Sequence, residues 1–194
     1  GVKAQIGHSL CDYACARGRL LDGWGVTHLY NATSAFSHRA PGLTGAALAH
    51  AEYAEIIPDL IHVDAGGILA AHRAIPNLYG VTDSTAGAGV PDGEYRLGTH
   101  TVFKKEGAMR LEDGTLAGSA LTMDRALANL VAIGLPLADA ARRLSTIPAD
   151  WIGEEGVGRL VAGAHADIVV LGGNLELAAV VIGGRDHSEM TKGD

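Results

Sequence analysis

Along the first 83 residues, short apolar runs alternate with longer segments whose apolar residues fall on one face. Short apolar runs that end at turn residues are typical of strands, and one-sided apolar segments are typical of helices. A repeated strand–helix order predicts a parallel sheet and therefore an α/β fold. The predicted strands are 2–7, 26–30, 55–62 and 78–83, and the predicted helices are 10–22, 46–54 and 66–75.

The second half of the chain departs from this alternation. Residues 84–118 are rich in glycine and turn residues, which predicts a loop with a small hairpin-like excursion. Ser119 is expected to cap a helix over 120–133, and Pro136 suits the first position of another helix. From Gly158 onward the pattern predicts strands at 159–161, 168–171 and 177–182.

Composition argues against several classes of protein. The 194 residues are 47% apolar and 19% charged, which is enough apolar material for a buried core. The formal net charge of −7 argues against a surface that binds nucleic acid or an anionic membrane. The sequence has neither a signal-peptide pattern nor a run of about 18 apolar residues, so we expect a cytoplasmic protein without membrane spans. Cys11 and Cys15 lie on one predicted helix, where reduced thiols are the simpler interpretation.

Four polar residues lie at or just beyond the ends of the four predicted strands: His8, His28, His62 and Asp83. In parallel α/β folds, the carboxyl ends of the strands form the edge at which active sites are built. His8 and His28 could bind one metal ion from adjacent strands, and Asp83 could act as a base toward water that the metal activates. The pattern therefore favours a metal-dependent hydrolase, although the wide spacing of the histidines leaves structural roles for them open.

The same residues belong to a series of short motifs that resembles the N-acetylglucosamine-6-phosphate deacetylases of the amidohydrolase superfamily. The resemblance covers nearly the whole chain, including the closing stretch around Gly163 and 166–170. It implies metal-dependent hydrolysis of the acetamide of N-acetylglucosamine 6-phosphate to glucosamine 6-phosphate and acetate. The motifs, in chain order, are Gly7-His8-Ser9, Val26-Thr27-His28-Leu29-Tyr30-Asn31-Ala32, His38-Arg39-Ala40-Pro41-Gly42, Asp59-Leu60-Ile61-His62, Val81-Thr82-Asp83, Pro91-Asp92-Gly93 and Leu116-Ala117-Gly118-Ser119.

The resemblance implies a role for each candidate residue. His8 and His28 match metal-binding histidines, and Asp83 matches the catalytic acid/base. His62 matches a substrate-binding histidine near the scissile amide. The implied cofactor is a divalent metal ion, and imidazole ligands suit either Zn²⁺ or Fe²⁺. The other matches contact the amino-sugar phosphate substrate: Asn31 and Ala32 at the sugar phosphate, Arg39 at the phosphate, and Leu116, Ala117 and Gly118 in a substrate-lining loop.

The resemblance also implies a fold and an assembly. The chain matches strands five to eight of a (β/α)8 TIM barrel, together with the C-terminal strands of a small β-sandwich. We therefore expect a partial barrel domain at 1–157, sandwich strands at 158–186 and a polar tail at 187–194. In this family the contact made by Arg39 can come from a neighbouring subunit, which implies a homodimer.

Three features depart from the family pattern. Leu10 stands where an acidic residue is usual, and Thr33 stands where Met is usual. The family's metal site also uses a glutamate well upstream of the first histidine, and no residue before Gly1 is present to supply it. We expect the N-terminal half of the same enzyme, on the same or a separate chain, to contribute that ligand.

Several alternatives remain open from sequence alone. The substrate could be a related sugar such as N-acetylgalactosamine 6-phosphate, because residues of the missing half could read the epimeric hydroxyl. The chain could also be an inactive fragment or a structural partner, because one metal ligand is missing. The identity and number of the metal ions, the oligomeric state and the activity of the chain alone are not fixed by the sequence.

Overall fold

The computed structural model describes residues 1–188, so residues 189–194 of the predicted tail lie outside the described residues. Strands and helices alternate in the first half, and the α/β class predicted from the sequence is confirmed. The strands are β1 (Gln5–Ile6), β2 (Gly25–Val26), β3 (Tyr53–Ile56), β4 (Asn77–Gly80), β5 (Gly93–Leu97), β6 (His100–Lys105), β7 (Ala108–Arg110), β8 (Leu116–Ser119), β9 (Ile168–Leu171), β10 (Leu177–Ile182) and β11 (Arg185–Asp186). The helices are α1 (Tyr13–Leu21), α2 (Gly42–His50), α3 (Ala65–Ala74), α4 (Met123–Ala132), α5 (Leu137–Leu144) and α6 (Thr146–Ile152).

Strands β1 to β4 form one parallel sheet in the order β1-β2-β3-β4. Helices α1, α2 and α3 connect consecutive strands, as parallel pairing requires. Because every pair is parallel, the carboxyl ends of the four strands lie at one edge of the sheet. The Cα partners include Ile6 with Val26, Val26 with Ala54, and Ile56 with Gly80.

The strands are shorter than the sequence pattern predicts, because the chain leaves the sheet early. The predicted strand 26–30 ends at Val26, and the chain turns away through a positive φ at His28. Helix α1 also begins later than predicted. Its N-cap is Asp12, whose side chain accepts a hydrogen bond from the Cys15 N–H at 2.8 Å.

The two faces of the parallel sheet differ in character. One face is apolar and packs against helices α1 to α5, where Leu43 and Ile68 are fully buried. Each such side chain contributes about 1.5–3 kcal/mol through burial. Alternate strand residues point to the other side, called here the polar face, which carries Gln5, Glu55 and Tyr79. The strand residues of the apolar face are Ile6, Val26, Ala54, Ile56 and Leu78.

The sequence predicts a loop with a small hairpin over 84–118, whereas the structure has a four-stranded antiparallel sheet there, in the order β5-β6-β7-β8. The two alternating segments of the sequence correspond to β5 and β6. Strands β7 and β8 have only three and four residues, too few for a visible alternation. Ser119 at the end of β8 forms an isolated parallel bridge with Ser84, so this sheet returns to the end of β4.

The helices of the second half are only partly those predicted. Helix α5 follows Pro136 as expected. Helix α4 has Thr122 as its N-cap, so Ser119 does not cap it as predicted. Ser119 is buried instead, and its hydroxyl donates a hydrogen bond to the Thr82 carbonyl. None of the helices within residues 1–188 is long and apolar enough to cross a membrane.

Helix α6, which the sequence pattern does not reveal, packs near the amino ends of the strands. Trp151 on this helix is 5% exposed and stacks against Tyr53, with ring centroids 4.9 Å apart. The Lys3 ammonium lies 4.9 Å from the centroid of the Trp151 ring. Tyr53 is the first residue of β3, and Lys3 precedes β1, so Trp151 covers the amino edge of the parallel sheet.

Strands β9, β10 and β11 form a separate antiparallel sheet in the order β11-β10-β9. The predicted strands 168–171 and 177–182 are confirmed with these bounds. The predicted strand 159–161 is wrong, because the chain there runs through bends and irregular backbone. The sequence therefore predicts the right number of strands for this sheet, but it places one at 159–161 instead of at β11.

An ionic cluster around the buried Arg143 ties α5 to the parallel sheet and to α3. Arg143 is 8% exposed, and its Nη1 donates to the Leu78 carbonyl at 2.7 Å. Its Nε donates to Asp139 Oδ2 at 3.0 Å, and Nε2 of His72 lies 2.8 Å from the same oxygen. Burial alone would raise the pKa of Asp139, but the hydrogen bonds from His72 and Arg143 bring it below its usual value. The carboxylate is therefore held in its ionised form.

We expect Arg143→Ala to lower the free energy of unfolding by about 2–4 kcal/mol, because it leaves the Leu78 carbonyl without its charged donor. Arg142→Ala is the matched control. The Arg142 side chain is 60% exposed and lies 3.8 Å from Asp139, so its loss should cost less than about 1 kcal/mol. Urea unfolding followed by circular dichroism measures both variants. Equal losses would contradict the role of the Arg143 cluster.

Candidate active site at the carboxyl edge of the parallel sheet

The four residues singled out from the sequence all follow strands of the parallel sheet: His8 after β1, His28 after β2, His62 after β3 and Asp83 after β4. They therefore belong to the same carboxyl edge, where α/β proteins build their sites. His8, His28 and Asp83 have positive φ angles of 45°, 28° and 48°. Such a backbone is strained for residues other than glycine, and strain of this kind concentrates at functional sites.

His8 and His28 are in direct contact. Their imidazole rings pack edge to face, with centroids 4.9 Å apart and an interplanar angle of 74°. Imidazole nitrogens bind zinc at about 2.0–2.1 Å, so two rings at this separation are close enough to share one ion. The structure thus brings together the two residues expected to bind metal.

This contact depends on a close approach of the residues just before the two histidines. The Thr27 N–H donates to the Ile6 carbonyl at 2.9 Å. A Cβ atom placed on Gly7 would lie 2.8 Å from the Thr27 Cβ, which is closer than real Cβ contacts. The absence of a side chain at Gly7 therefore allows the segment after β1 to lie against the segment after β2.

His28 has a buried nitrogen that lacks a partner. The residue is 7% exposed, and its Nδ1 makes no hydrogen bond among residues 1–188. An unpaired buried nitrogen is unfavourable, and binding a divalent metal ion through its lone pair would give it a partner. No group of three or more His, Cys, Asp or Glu side chains in the described chain could hold a metal ion. The two imidazoles therefore supply part of a metal site rather than a complete one.

A cluster on the polar face, formed by Gln5, Glu55 and Tyr79, holds the backbone of His28. Glu55 Oε1 accepts hydrogen bonds from the Gln5 amide at 2.7 Å and from the Tyr79 hydroxyl at 3.0 Å. Glu55 Oε2 accepts the His28 backbone N–H at 3.3 Å. Burial and the neighbouring Glu55 charge raise the pKa of Tyr79 well above its usual value, so its hydroxyl stays a donor. These residues were not among the sequence candidates. Glu55 could have been noticed, because it is a charged residue between two apolar residues of a strand.

Asp83 is exposed at the end of β4, and β8 holds its backbone. The Ser119 N–H donates to the Asp83 carbonyl at 2.8 Å, and the Thr85 N–H donates to the Ser119 carbonyl at 3.0 Å. Gly118 has a φ of 66°, and a Cβ there would lie 2.4 Å from the Thr85 Cγ2. The three residues expected to line the substrate are the first three of β8, so they belong to the strand that holds Asp83.

His62 is held by Asp59 rather than by the other candidate residues. Asp59 Oδ2 lies 2.6 Å from Nδ1 of His62, and Oδ1 accepts the backbone N–H groups of Ile61 and His62 at 2.9 and 2.8 Å. Burial alone would raise the pKa of Asp59. The hydrogen bonds from His62 and Ile61 outweigh burial and place that pKa below its usual value.

The loop after β2 has an alternating backbone. His28, Tyr30 and Ala32 have positive φ angles of 28°, 79° and 49°, whereas the residues between them do not. Three N–H groups of this loop are paired within the chain: those of His28 and Leu29 donate to Oε2 and the backbone carbonyl of Glu55, and that of Asn31 donates to the His28 carbonyl. The Asn31 amide donates to the carbonyls of His28 and Leu29, at 3.3 Å each, and so braces the loop.

The structure does not bring all the candidate residues into one cluster. Among residues 1–188, no hydrogen bond, ion pair or ring contact joins Asp83 or His62 to His8 or His28. Strands β2 and β4 flank β3, and neighbouring strands lie about 4.8 Å apart, so their backbones are about 10 Å apart. Arg39 is exposed in the turn before α2, and no carboxylate of the described chain pairs with it.

Comparison with known proteins assigns the chain to a family. No protein-family model matches it. The N-acetylglucosamine-6-phosphate deacetylase of Vibrio furnissii is 33% identical over 190 residues, which are 95% of this chain and 48% of that enzyme. A shorter protein of Escherichia coli strain K12, provisionally named N-acetylgalactosamine-6-phosphate deacetylase, is 35% identical over 162 residues, covering 81% of this chain and 97% of that protein. The chain belongs to the N-acetylglucosamine-6-phosphate deacetylase family.

The fold agrees with that of solved members of this family. The crystal structure of the N-acetylglucosamine-6-phosphate deacetylase from Pasteurella multocida matches with a TM-score of 0.92 and 31% identity. The match covers 97% of this chain and 51% of that enzyme. The chain therefore spans about half the length of the full-length deacetylases it resembles.

We expect Gly7→Ala to lower the free energy of unfolding by about 1–3 kcal/mol, because the added methyl group meets Thr27 and separates the two segments. Gly18→Ala is the matched control. A Cβ at Gly18, within α1, meets nothing within 4 Å, so this change should be neutral or stabilising by up to about 1 kcal/mol. Thermal and urea unfolding measure both variants. A Gly7→Ala protein as stable as the Gly18→Ala protein would refute the close approach.

Proposed function

We propose that the chain forms the C-terminal half of a metal-dependent deacetylase that hydrolyses N-acetylglucosamine 6-phosphate to glucosamine 6-phosphate and acetate, in amino-sugar catabolism. One observation carries this proposal: His8 and His28 meet at the carboxyl edge of the parallel sheet, and Nδ1 of His28 is buried without a partner in the described residues. Membership of the deacetylase family supports the reaction class.

In this proposal His8 and His28 hold a divalent ion, and Zn²⁺ and Fe²⁺ both suit imidazole ligands. When bound, the ion supplies activated water at neutral pH and a Lewis acid for the acetamide carbonyl. The pair of imidazoles needs at least one further ligand, since residues 1–188 contain no third group close enough. An N-terminal half of the enzyme, on the same or a separate chain, provides that ligand.

Asp83 is the proposed catalytic acid/base. Its carboxylate accepts a proton from the attacking water and later donates that proton to the leaving nitrogen, so that Asp83 ends in its starting state. The carboxylate is suited to this cycle because Asp83 is exposed and makes no side-chain hydrogen bond within the described chain. The hydrogen bond from Ser119 to the Asp83 carbonyl keeps its backbone in place during the cycle.

The other residues are proposed to bind the amino-sugar phosphate. Asn31 and Ala32 contact the sugar phosphate from the loop after β2, and Arg39 adds a planar fork of donors to the phosphate. Arg39 is exposed, so in a homodimer it can serve the site of the neighbouring subunit. His62 contacts the substrate near the scissile amide, while Leu116, Ala117 and Gly118 line the sugar.

The finer architecture belongs to the same proposal. Strands β1 to β4 are assigned to strands five to eight of a (β/α)8 TIM barrel, with residues 1–157 as its partial domain. Residues 158–186 are assigned to a β-sandwich that the N-terminal half completes. The polar face supports this assignment, because Gln5 Oε1 is buried there without a partner in the described residues. The complete enzyme is expected in the cytoplasm.

N-acetylgalactosamine 6-phosphate is a second candidate substrate. The relative from Escherichia coli strain K12 carries that name and is 35% identical, against 33% for the Vibrio furnissii enzyme. Identity therefore does not separate the two sugars, which differ in the configuration of one hydroxyl group. The ratio of kcat/KM values for the two phosphorylated sugars, measured with one enzyme preparation, decides between them.

Asp83→Asn should lower kcat for acetate release by at least about 100-fold, because an amide cannot accept and return the proton. The assay uses N-acetylglucosamine 6-phosphate and the enzyme with both halves present. Asp124→Asn is the matched control, since Asp124 is exposed in the first turn of α4 and should leave kcat nearly unchanged. Turnover of Asp83→Asn within tenfold of the wild type would remove Asp83 from this role.

Removal of metal should abolish acetate release, and His28→Asn should lower the metal content of the purified enzyme together with its activity. His100→Asn, an exposed histidine on β6, is the control and should retain both. Elemental analysis and the deacetylase assay measure the two quantities on the same samples. A folded enzyme with no bound metal and no acetate release would instead favour a structural role for the chain.

A further inference from the structure

Asp59 and His62 form a buried pair whose geometry restricts the chemistry of the imidazole. The two side chains are 5% and 6% exposed, and Asp59 Oδ2 lies 2.6 Å from Nδ1 of His62. The other carboxylate oxygen accepts two backbone N–H groups, from Ile61 and from His62 itself. Leu60 between them has a φ of 64°, which curls the chain around the carboxylate. Three hydrogen bonds therefore hold the Asp59 carboxylate, and one of them also holds the His62 ring.

The short contact between Asp59 and His62 requires one proton between the two atoms. Asp59 accepts two N–H groups at its other oxygen, which favours the ionised carboxylate, so the proton belongs to Nδ1 of His62. The lowered pKa of Asp59 agrees with this assignment. Nε2 is then the ring nitrogen that remains for a ligand, and within residues 1–188 no atom hydrogen-bonds to it.

We propose that Asp59 is a positioning residue, which holds the His62 ring with a proton on Nδ1 and so leaves Nε2 as the atom that meets the substrate. This proposal rests on the deacetylase function proposed above, because it concerns which ring nitrogen of His62 contacts the acetamide of the substrate. A neutral ring with its proton on Nδ1 offers only a lone pair at Nε2 and cannot polarise a carbonyl. Donation from Nε2 to a carbonyl oxygen requires a second proton on the ring, so the ring state decides whether His62 donates or accepts at the acetamide.

The ring state of His62 can be measured without reference to activity. In the Zn²⁺-loaded enzyme with ¹⁵N-labelled histidine, long-range ¹H–¹⁵N correlation spectra distinguish the two neutral tautomers and the imidazolium. The His62 signals are those that disappear in His62→Gln. We expect Nδ1 of His62 to carry a proton in the wild type. A neutral ring with its proton on Nε2 would overturn the proposal.

The kinetic test uses Asp59→Asn with a matched control on the same segment. Asp64→Asn is that control, because Asp64 also accepts a backbone N–H, from Gly66 at 2.8 Å, but it caps α3 and has no hydrogen bond or ion pair with a histidine among residues 1–188. Asp59→Asn should lower kcat/KM for N-acetylglucosamine 6-phosphate at least about tenfold, in line with the loss of a carboxylate that orients a functional histidine. Asp64→Asn should remain near the wild-type value. A similar loss in both variants would refute a specific role for Asp59.

A double-mutant cycle separates positioning from general structural support. If Asp59 acts through His62, Asp59→Asn should cause little further loss of kcat/KM in a His62→Gln background. Losses that multiply would mean that Asp59 acts independently of His62, and the proposal would fail. If the wild-type enzyme releases no acetate, the proposed function fails, and the spectroscopic ring state then decides the role of Asp59.

Discussion

Parallel hydrogen bonding between four short strands is the constraint on which the candidate site depends. The strands β1 to β4 contain only two to four residues each, yet their pairing places His8, His28, His62 and Asp83 beyond the same edge. The chain leaves the sheet abruptly, and His8, His28 and Asp83 adopt positive φ angles that cost about 1–3 kcal/mol each. Burial of the apolar face against the helices offsets this strain, so the packing of one face supports the chemistry at the edge.

The polar face connects this edge to the opposite end of the sheet. Trp151 covers the amino edge, and the cluster of Gln5, Glu55 and Tyr79 lies along the same face, with Glu55 hydrogen-bonded to the His28 backbone. A charged carboxylate on a sheet face is costly unless donors surround it, and here it has two side-chain donors and one backbone donor. The cluster therefore positions His28 from the face opposite helices α1 to α5.

The sequence was sufficient to predict the α/β alternation and the polar residues at the strand ends, because both depend on local patterns. It did not reveal β7, β8 or α6, whose lengths of three to seven residues carry too little periodicity. The support of His28 by Glu55 and of Asp83 by Ser119 joins residues far apart in sequence, so no local pattern contains it. Asp59 and His62 are the exception, because their spacing of three residues is visible in the sequence, although their ring contact is not.

The candidate residues contain two kinds of group: some are fixed by hydrogen bonds within the chain, and others have no partner in it. Hydrogen bonds within the chain fix the backbones of His28 and Asp83 and the Nδ1 atom of His62. The described residues offer no partner to Nδ1 of His28, to Nε2 of His62 or to the Asp83 carboxylate. Residues that serve only to stabilise a fold use their polar atoms in that fold, because unpaired buried groups are unfavourable. The buried Nδ1 of His28 therefore points to a ligand that supplies its missing partner, whereas the exposed Asp83 carboxylate can pair with water and adds no such argument.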